Sequence, residues 1–114
     1  MSAISRPMTP RSAEVIAQRL RVLGQPVRVR LIQELDRNGE MTVGALAEVL
    51  GERLHNVSQH LALLRTAGVV QRRHRGREVW YRLSSPAAPC IYERVAVALR
   101  EDAERLGRAV ERPK

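Results

Sequence analysis

The chain of 114 residues has a single cysteine, a single lysine, one tryptophan, two tyrosines and no phenylalanine. With Cys90 alone no intrachain disulfide can form, which suits a reducing compartment. No apolar run approaches the ~20 residues that span a bilayer. The opening segment MSAISRPMTPRSAE lacks the apolar stretch of a secretory signal. These absences predict a cytoplasmic protein with no membrane partner. A phosphate-cradling glycine loop, a nucleophile–base signature and metal-hydrolase spacing are missing too, which argues against an enzyme.

What is present is a globular composition, 44% hydrophobic and 28% charged, on a length that suits one domain with a modest core. The formal net charge is +8 and the pI about 11.3. Nineteen of the 20 basic residues are arginine. Arginine bias can follow from genome base composition alone. The positive excess still asks for an anionic partner, and nucleic acid is the commonest. Arginine also suits that partner, because its planar fork donates in pairs.

Helical periodicity organises most of the chain. Residues 1–9 show no period and are expected to form a flexible tail. A first helix begins near Pro10, with Val15, Ile16, Leu20 and Leu23 as its stripe, and ends at Gly24. A second opens at Pro26, carries Val27, Leu31, Ile32 and Leu35, and closes at Asn38-Gly39. After an extended Glu40-Met41-Thr42, Thr42 is placed to cap a third helix with Val43, Leu46, Ala47 and Leu50. Gly51-Glu52-Arg53 turns into a fourth helix from about Leu54 to Ala67, with Gly68 as its C-cap. Short helix, tight turn and second helix make a helix-turn-helix, about residues 43–67. Two strand-like runs follow over about 69–83, joined by Arg75-Gly76-Arg77. Val79, Tyr81 and Leu83 point one way there, and Trp80 and Arg82 the other. Ser84-Ser85-Pro86 breaks the chain before a last helix at about 89–110, striped by Ile91, Val95, Leu99, Leu106 and Val110.

At 100° per residue, Val57, Leu61 and Leu64 share one sector of the fourth helix, with Leu54 at its edge, and are expected to face the core. His55 and Gln59 lie opposite, flanked by Asn56 and Ser58, and Arg65 follows in the last turn. An uncharged polar surface over the first two turns suits a helix that enters a major groove. There Asn and Gln can pair with adenine and Ser can donate or accept. An ordinary solvated face would look similar. The hairpin tilts the balance toward DNA over a merely solvated basic turn, since residues 72–77 read Arg-Arg-His-Arg-Gly-Arg. Such a tip repels itself unless an anion neutralises it, and duplex DNA would do so through Arg72, Arg73, Arg75 and Arg77.

Several segments, in order and spacing, resemble the ArsR/SmtB family: Leu23-Gly24-Gln25-Pro26-Val27-Arg28, Leu46-Ala47, the run Val57-Ser58-Gln59-His60-Leu61 through Val70, Arg75-Gly76-Arg77, and Tyr81-Arg82-Leu83. The resemblance covers roughly residues 12–105. It implies a mainly α winged helix-turn-helix of about five helices plus a two-stranded wing, filling residues 10–110. It also implies a dimeric regulator, usually a repressor whose DNA affinity an effector changes. By position its DNA contacts fall on His55, Asn56, Ser58 and Gln59. His60, nearer the buried edge, is expected to pack.

One group of the family places a cysteine pair before the turn, where this chain reads Thr42-Val43-Gly44-Ala45-Leu46-Ala47-Glu48. Another uses Asp and His on the last helix, which here has no histidine. The remaining candidate ligands are Cys90, Glu93, Glu101, Asp102 and Glu104, in no family pattern. The acidic trio is expected to be a solvated face, and Cys90 a small buried residue rather than a thiol switch. No cofactor is required by these residues. An unorthodox divalent-metal site, a redox role for Cys90 and a separate sensor protein all stay open as sources of signal. Val15, Ile16 and Leu20, with Ile91, Val95, Leu99 and Leu106, exceed what one small core can cover, so they are expected to bury against a second copy. The rival to a DNA binder is a winged helix that docks on protein or RNA. A docking face would expose aromatic or apolar anchors, whereas this one is polar and basic.

Overall fold

The computed structural model describes residues 7–111, and side chains through 107. Residues 1–6 of the expected tail and the side chain of Val110 lie outside the described residues. Thr9, assigned to that tail, is part of the fold. Its hydroxyl accepts the Ser12 N–H at 3.0 Å and caps α1 (Pro10–Leu23). α2 (Pro26–Asn38) starts on a proline, which gives up nothing at a position where the N–H has no helical partner. Gly39, at φ +84°, ends it in a conformation that only glycine adopts freely.

β1 (Glu40–Thr42) follows, and Thr42 caps α3 (Val43–Leu50) by accepting the Ala45 N–H at 3.1 Å. α4 (Leu54–Thr66) ends in a Schellman turn one residue earlier than the sequence suggested. Ala67 is the C-cap and Gly68, at φ +80°, the residue beyond it. The Gly68 N–H reaches Arg65 O at 2.9 Å and the Val69 N–H reaches Leu64 O at 2.9 Å, which satisfies two orphan carbonyls. β2 (Val70–Arg75) and β3 (Glu78–Leu83) form the hairpin around a two-residue turn, with Gly76 at φ +61° in its first position. α5 (Ala87–Glu111) begins two residues before the expected Pro89, where the Ser85 hydroxyl accepts the Ala87 N–H at 3.2 Å.

The two-stranded wing is extended by β1 into a three-stranded sheet. β1 pairs antiparallel with β3, Glu40 opposite Arg82 and Thr42 opposite Trp80, so the order is β1-β3-β2. Three residues are too few to announce a strand by periodicity, and only a partner strand from residues 78–83 makes them one. Leu31, Ile32 and Leu35 of α2 meet Leu46 and Leu50 of α3, Val57, Leu61 and Leu64 of α4, and Val70 and Tyr81 of the hairpin. That core holds the helix-turn-helix and the hairpin in fixed relation. α5 reaches it only through its first turns, by Ala88, Ile91 and Tyr92. The Tyr92 hydroxyl donates to Leu23 O at 2.7 Å, and burial pushes that phenol up to about 12.

Candidate nucleic-acid interface

α4 owes its orientation to contacts on its inner side. Val57, Leu61 and Leu64 are fully buried, so the opposite side must face out. His60 sits at the margin, half-buried, and its Nδ1 accepts from Arg28 Nε at 3.1 Å. Arg28 also donates to Val22 O at 3.0 Å, tying the end of α1 to α4 through α2. Burial first, and then the neighbouring guanidinium, hold the imidazole below its ordinary range. The packing role expected of His60 is thus a hydrogen-bonded one. A second tie, from Arg30 to Leu50 O at 3.1 Å, fastens α2 to the end of α3, just ahead of the turn.

The outward side of α4 carries His55 and Gln59 exposed, one turn apart, with Ala62, Arg65 and Thr66 exposed beyond them. Asn56 and Ser58 are half-buried on its flanks. The Asn56 amide donates to Glu52 Oε1 at 2.8 Å, so it is engaged within the turn rather than presented outward. Leu54 departs from expectation. Its place at the edge of the apolar sector predicted a core residue, yet it is 57% exposed. The core under α4 is filled from Val57 onward, and the first turn projects past it. An apolar side chain at the mouth of a reading helix is suited to a thymine methyl group. The signal that could have identified it is its position at the helix start, where burial has not yet begun.

Cross-strand register sorts the hairpin into two faces. Val70, Arg72 and His74 of β2 stand opposite Leu83, Tyr81 and Val79, on the side that meets the core. Gln71, Arg73 and Arg75 stand opposite Arg82, Trp80 and Glu78, on the outer side. Only Val70 of β2 is buried, so the strand runs out beyond the helices into solvent. Arg72, Arg73, Arg75 and Arg77 are all exposed. The sequence suggested a tip with no internal anion, and the structure corrects this. Glu40 Oε1 accepts from Arg73 and from Arg75, each at 2.8 Å, and Arg75 also lies over the Trp80 ring, 4.8 Å from its centroid. Arg73 above all holds the Glu40 carboxyl below its ordinary range, against the cost of burial. Glu40 was missed because it belongs to a strand 33 residues before Arg73.

The remaining candidates do not gather into a site. Cys90, expected to be buried, is exposed, because α5 packs on the core through Ala88, Ile91 and Tyr92 and Cys90 falls on another side of the helix. Glu93 pairs with Arg100 at 3.6 Å, and Asp102 pairs with Arg105. Among the described residues no three His, Cys, Asp or Glu side chains converge as a metal site would need. Among them, too, no helix is long and apolar enough to cross a membrane. Val15, Ile16 and Leu20 of α1 are 60%, 42% and 49% exposed, and Val95, Leu99 and Leu106 of α5 are 52%, 62% and 68% exposed. Leu20, Leu23, Ile91, Val95 and Leu99 line an apolar groove of about 380 Å³ between the two helices.

A family model described as a helix-turn-helix domain matches residues 23–73, from the end of α1 into β2. The chain is 34% identical over 90 residues to the biofilm growth-associated repressor of Agrobacterium fabrum, covering 79% of this chain and 76% of that one. It is 43% identical over 65 residues to the HTH-type transcriptional repressor SmtB of Mycobacterium tuberculosis, covering 57% of this chain and 47% of that one. Its fold matches the crystal structure of the AntR antimony-specific transcriptional repressor with a TM-score of 0.76 and 27% identity, covering 90% of this chain and 93% of that one. Order, spacing, fold and relatives agree, and the chain belongs to the ArsR/SmtB family of winged helix-turn-helix, DNA-binding transcriptional regulators.

Proposed function

We propose that the chain acts as a repressor, binding a two-fold symmetric duplex operator as a homodimer and acting by occupancy rather than by catalysis. The observation that carries this reading is the pairing of two surfaces. An uncharged polar side of α4, with His55 and Gln59 exposed, lies on the same small core as an arginine-rich hairpin. Arg65, Arg72 and Arg77 supply phosphate contacts, and Gln59 supplies base readout, with Ser58 beside it and Leu54 against a methyl group. The exposed stripes of α1 and α5 supply the second half of the reading. Two copies joined there bury both stripes and set two α4 helices about one turn of DNA apart, roughly 34–36 Å.

DNA binding in this reading needs no bound metal. Gel shifts on the chain's own promoter region, with competitor DNA and with or without a chelator, test it together with sedimentation. The expected result is a dimer that selects one promoter site equally in both conditions. Loss of the shift on chelation would overturn the metal-free reading, and equal binding to competitor would overturn operator recognition.

A further inference from the structure

Glu40 is placed where the DNA-binding reading alone would not put an acid. It lies on the outer side of the sheet, in the middle of the wing's positive charge, with its side chain only 20% exposed. One of its oxygens takes two guanidinium donors at once, both at 2.8 Å. Arg75 makes the point most clearly. Directly across the ladder from it stands Glu78, the acid nearest in register. Arg75 instead folds back over Trp80 to Glu40, whose own partner is Arg82. Glu78 and Arg82 are four residues apart on β3, roughly 13 Å of strand. The guanidinium is thereby drawn away from the hairpin tip and toward the base of the sheet. Arg72 and Arg77 have no ion-pair partner among the described residues.

We propose that Glu40 is an intramolecular stand-in for a DNA phosphate, a latch that holds Arg73 and Arg75 off the duplex and leaves Arg72 and Arg77 as the wing's working cations. This rests on the reading that the wing touches DNA. A carboxylate accepting paired guanidinium donors makes the same contact that a phosphate oxygen would. It costs the wing one unit of charge and fixes two side chains that would otherwise grip any backbone. Non-specific binding is nearly all phosphate contact, so the latch lowers it more than it lowers base readout by α4. Glu40 is therefore a specificity-determining residue that reads no base. Exposed ion pairs are individually weak, which is why two on one oxygen, backed by the Trp80 ring, are needed to hold against a polyanion.

The test is the salt dependence of binding to a non-specific duplex by the full-length dimer. Glu40→Gln should tighten that binding by about tenfold at low salt and steepen the slope of log K against log salt by about one to two units per subunit. The gain should vanish when Arg73→Gln and Arg75→Gln are already present. In the native background, Arg72→Gln with Arg77→Gln should flatten the slope by about two units per subunit, and Arg73→Gln with Arg75→Gln by less than one. That second comparison decides the matter even if Glu40→Gln fails to fold. The latch is overturned if Glu40→Gln leaves the slope unchanged, if its gain survives in the doubly substituted background, or if both arginine pairs flatten the slope alike. If neither pair moves the slope, the wing stays in solvent, and the reading beneath the latch fails with it.

Discussion

α2 and α5 carry the same kind of apolar stripe and meet opposite fates. Leu31, Ile32 and Leu35 of α2 are at most 1% exposed, while Val95, Leu99 and Leu106 of α5 are all more than half exposed. Amphipathic periodicity says only that a helix has a side to bury, not what buries it. α2 lies between α3, α4 and the sheet, so its stripe is consumed within the chain. α5 touches the core by its first turns and then runs past it, while α1 reaches the core only at its end, through Leu23, and leaves Val15, Ile16 and Leu20 exposed. The proposed dimer is what would cover these two stripes.

The largest effect expected on this contrast comes from Leu99→Glu. It removes two symmetry-related leucines, each worth about 1.5–3 kcal/mol of burial, and puts two carboxylates in their place. Sedimentation should show a monomer, and operator affinity should collapse although every residue of α4 and the wing is intact. Since Leu99 is exposed within the subunit, circular dichroism should show an unchanged fold. A dimer with full affinity would mean that α5 buries its stripe elsewhere.

Leu61→Ala, on the consumed side, should do the reverse. Truncating a fully buried leucine costs about 2–5 kcal/mol of stability, and denaturant titration at fixed protein concentration would measure it. A loss under about 1 kcal/mol would show a core less tightly filled than its burial implies.

A smaller effect belongs to the surface that neither region buries. Gln59→Ala should weaken operator binding by about 1–3 kcal/mol and leave scrambled DNA nearly unaffected. Equal losses on both sequences, compared at one salt concentration, would remove Gln59 from base readout.

The mildest effect concerns the tie that links α1, α2 and α4. With His60 held below its ordinary range, the unfolded chain takes up a proton at a higher pH than the folded one. The contribution of the Arg28–His60 bond is therefore complete above the unfolded value of about 6.5 and is lost as pH falls through and below it. Thermal unfolding at pH 7.5 and 5.5 should show a drop in stability that His60→Gln diminishes. The same drop in both proteins would assign the acid sensitivity to other groups.

Much of this molecule was legible from the chain. Pro26, Gly39, Thr42, Gly51 and Gly76 each mark a boundary the structure keeps, because caps and turns depend on local backbone chemistry. The outward placement of His55 and Gln59 followed from helical period alone. Misplacements arose where what a side chain packs or bonds against, and not its angle on the helix, decided the outcome. Leu54 belongs to the apolar sector by angle, but nothing packs against the first turn of α4. Cys90 looked like a small core residue, but α5 meets the core through Ala88, Ile91 and Tyr92, which leaves Cys90 outward. Asn56, assigned to the reading surface, is held by Glu52 of its own turn.

What the sequence by itself determined is the order of helices, their ends, the polar side of α4 and the family to which they belong, since each depends on periods and motifs within a few turns of chain. The tertiary structure alone decided that Glu40-Met41-Thr42 is a strand, and through it the electrostatics of the wing. A three-residue segment has no stable conformation of its own, and its ladder bonds exist only once β3 lies beside it. That pairing brings one carboxylate across the sheet to two arginines more than 30 residues away, a contact that Coulomb attraction makes favourable only after packing has supplied the distance.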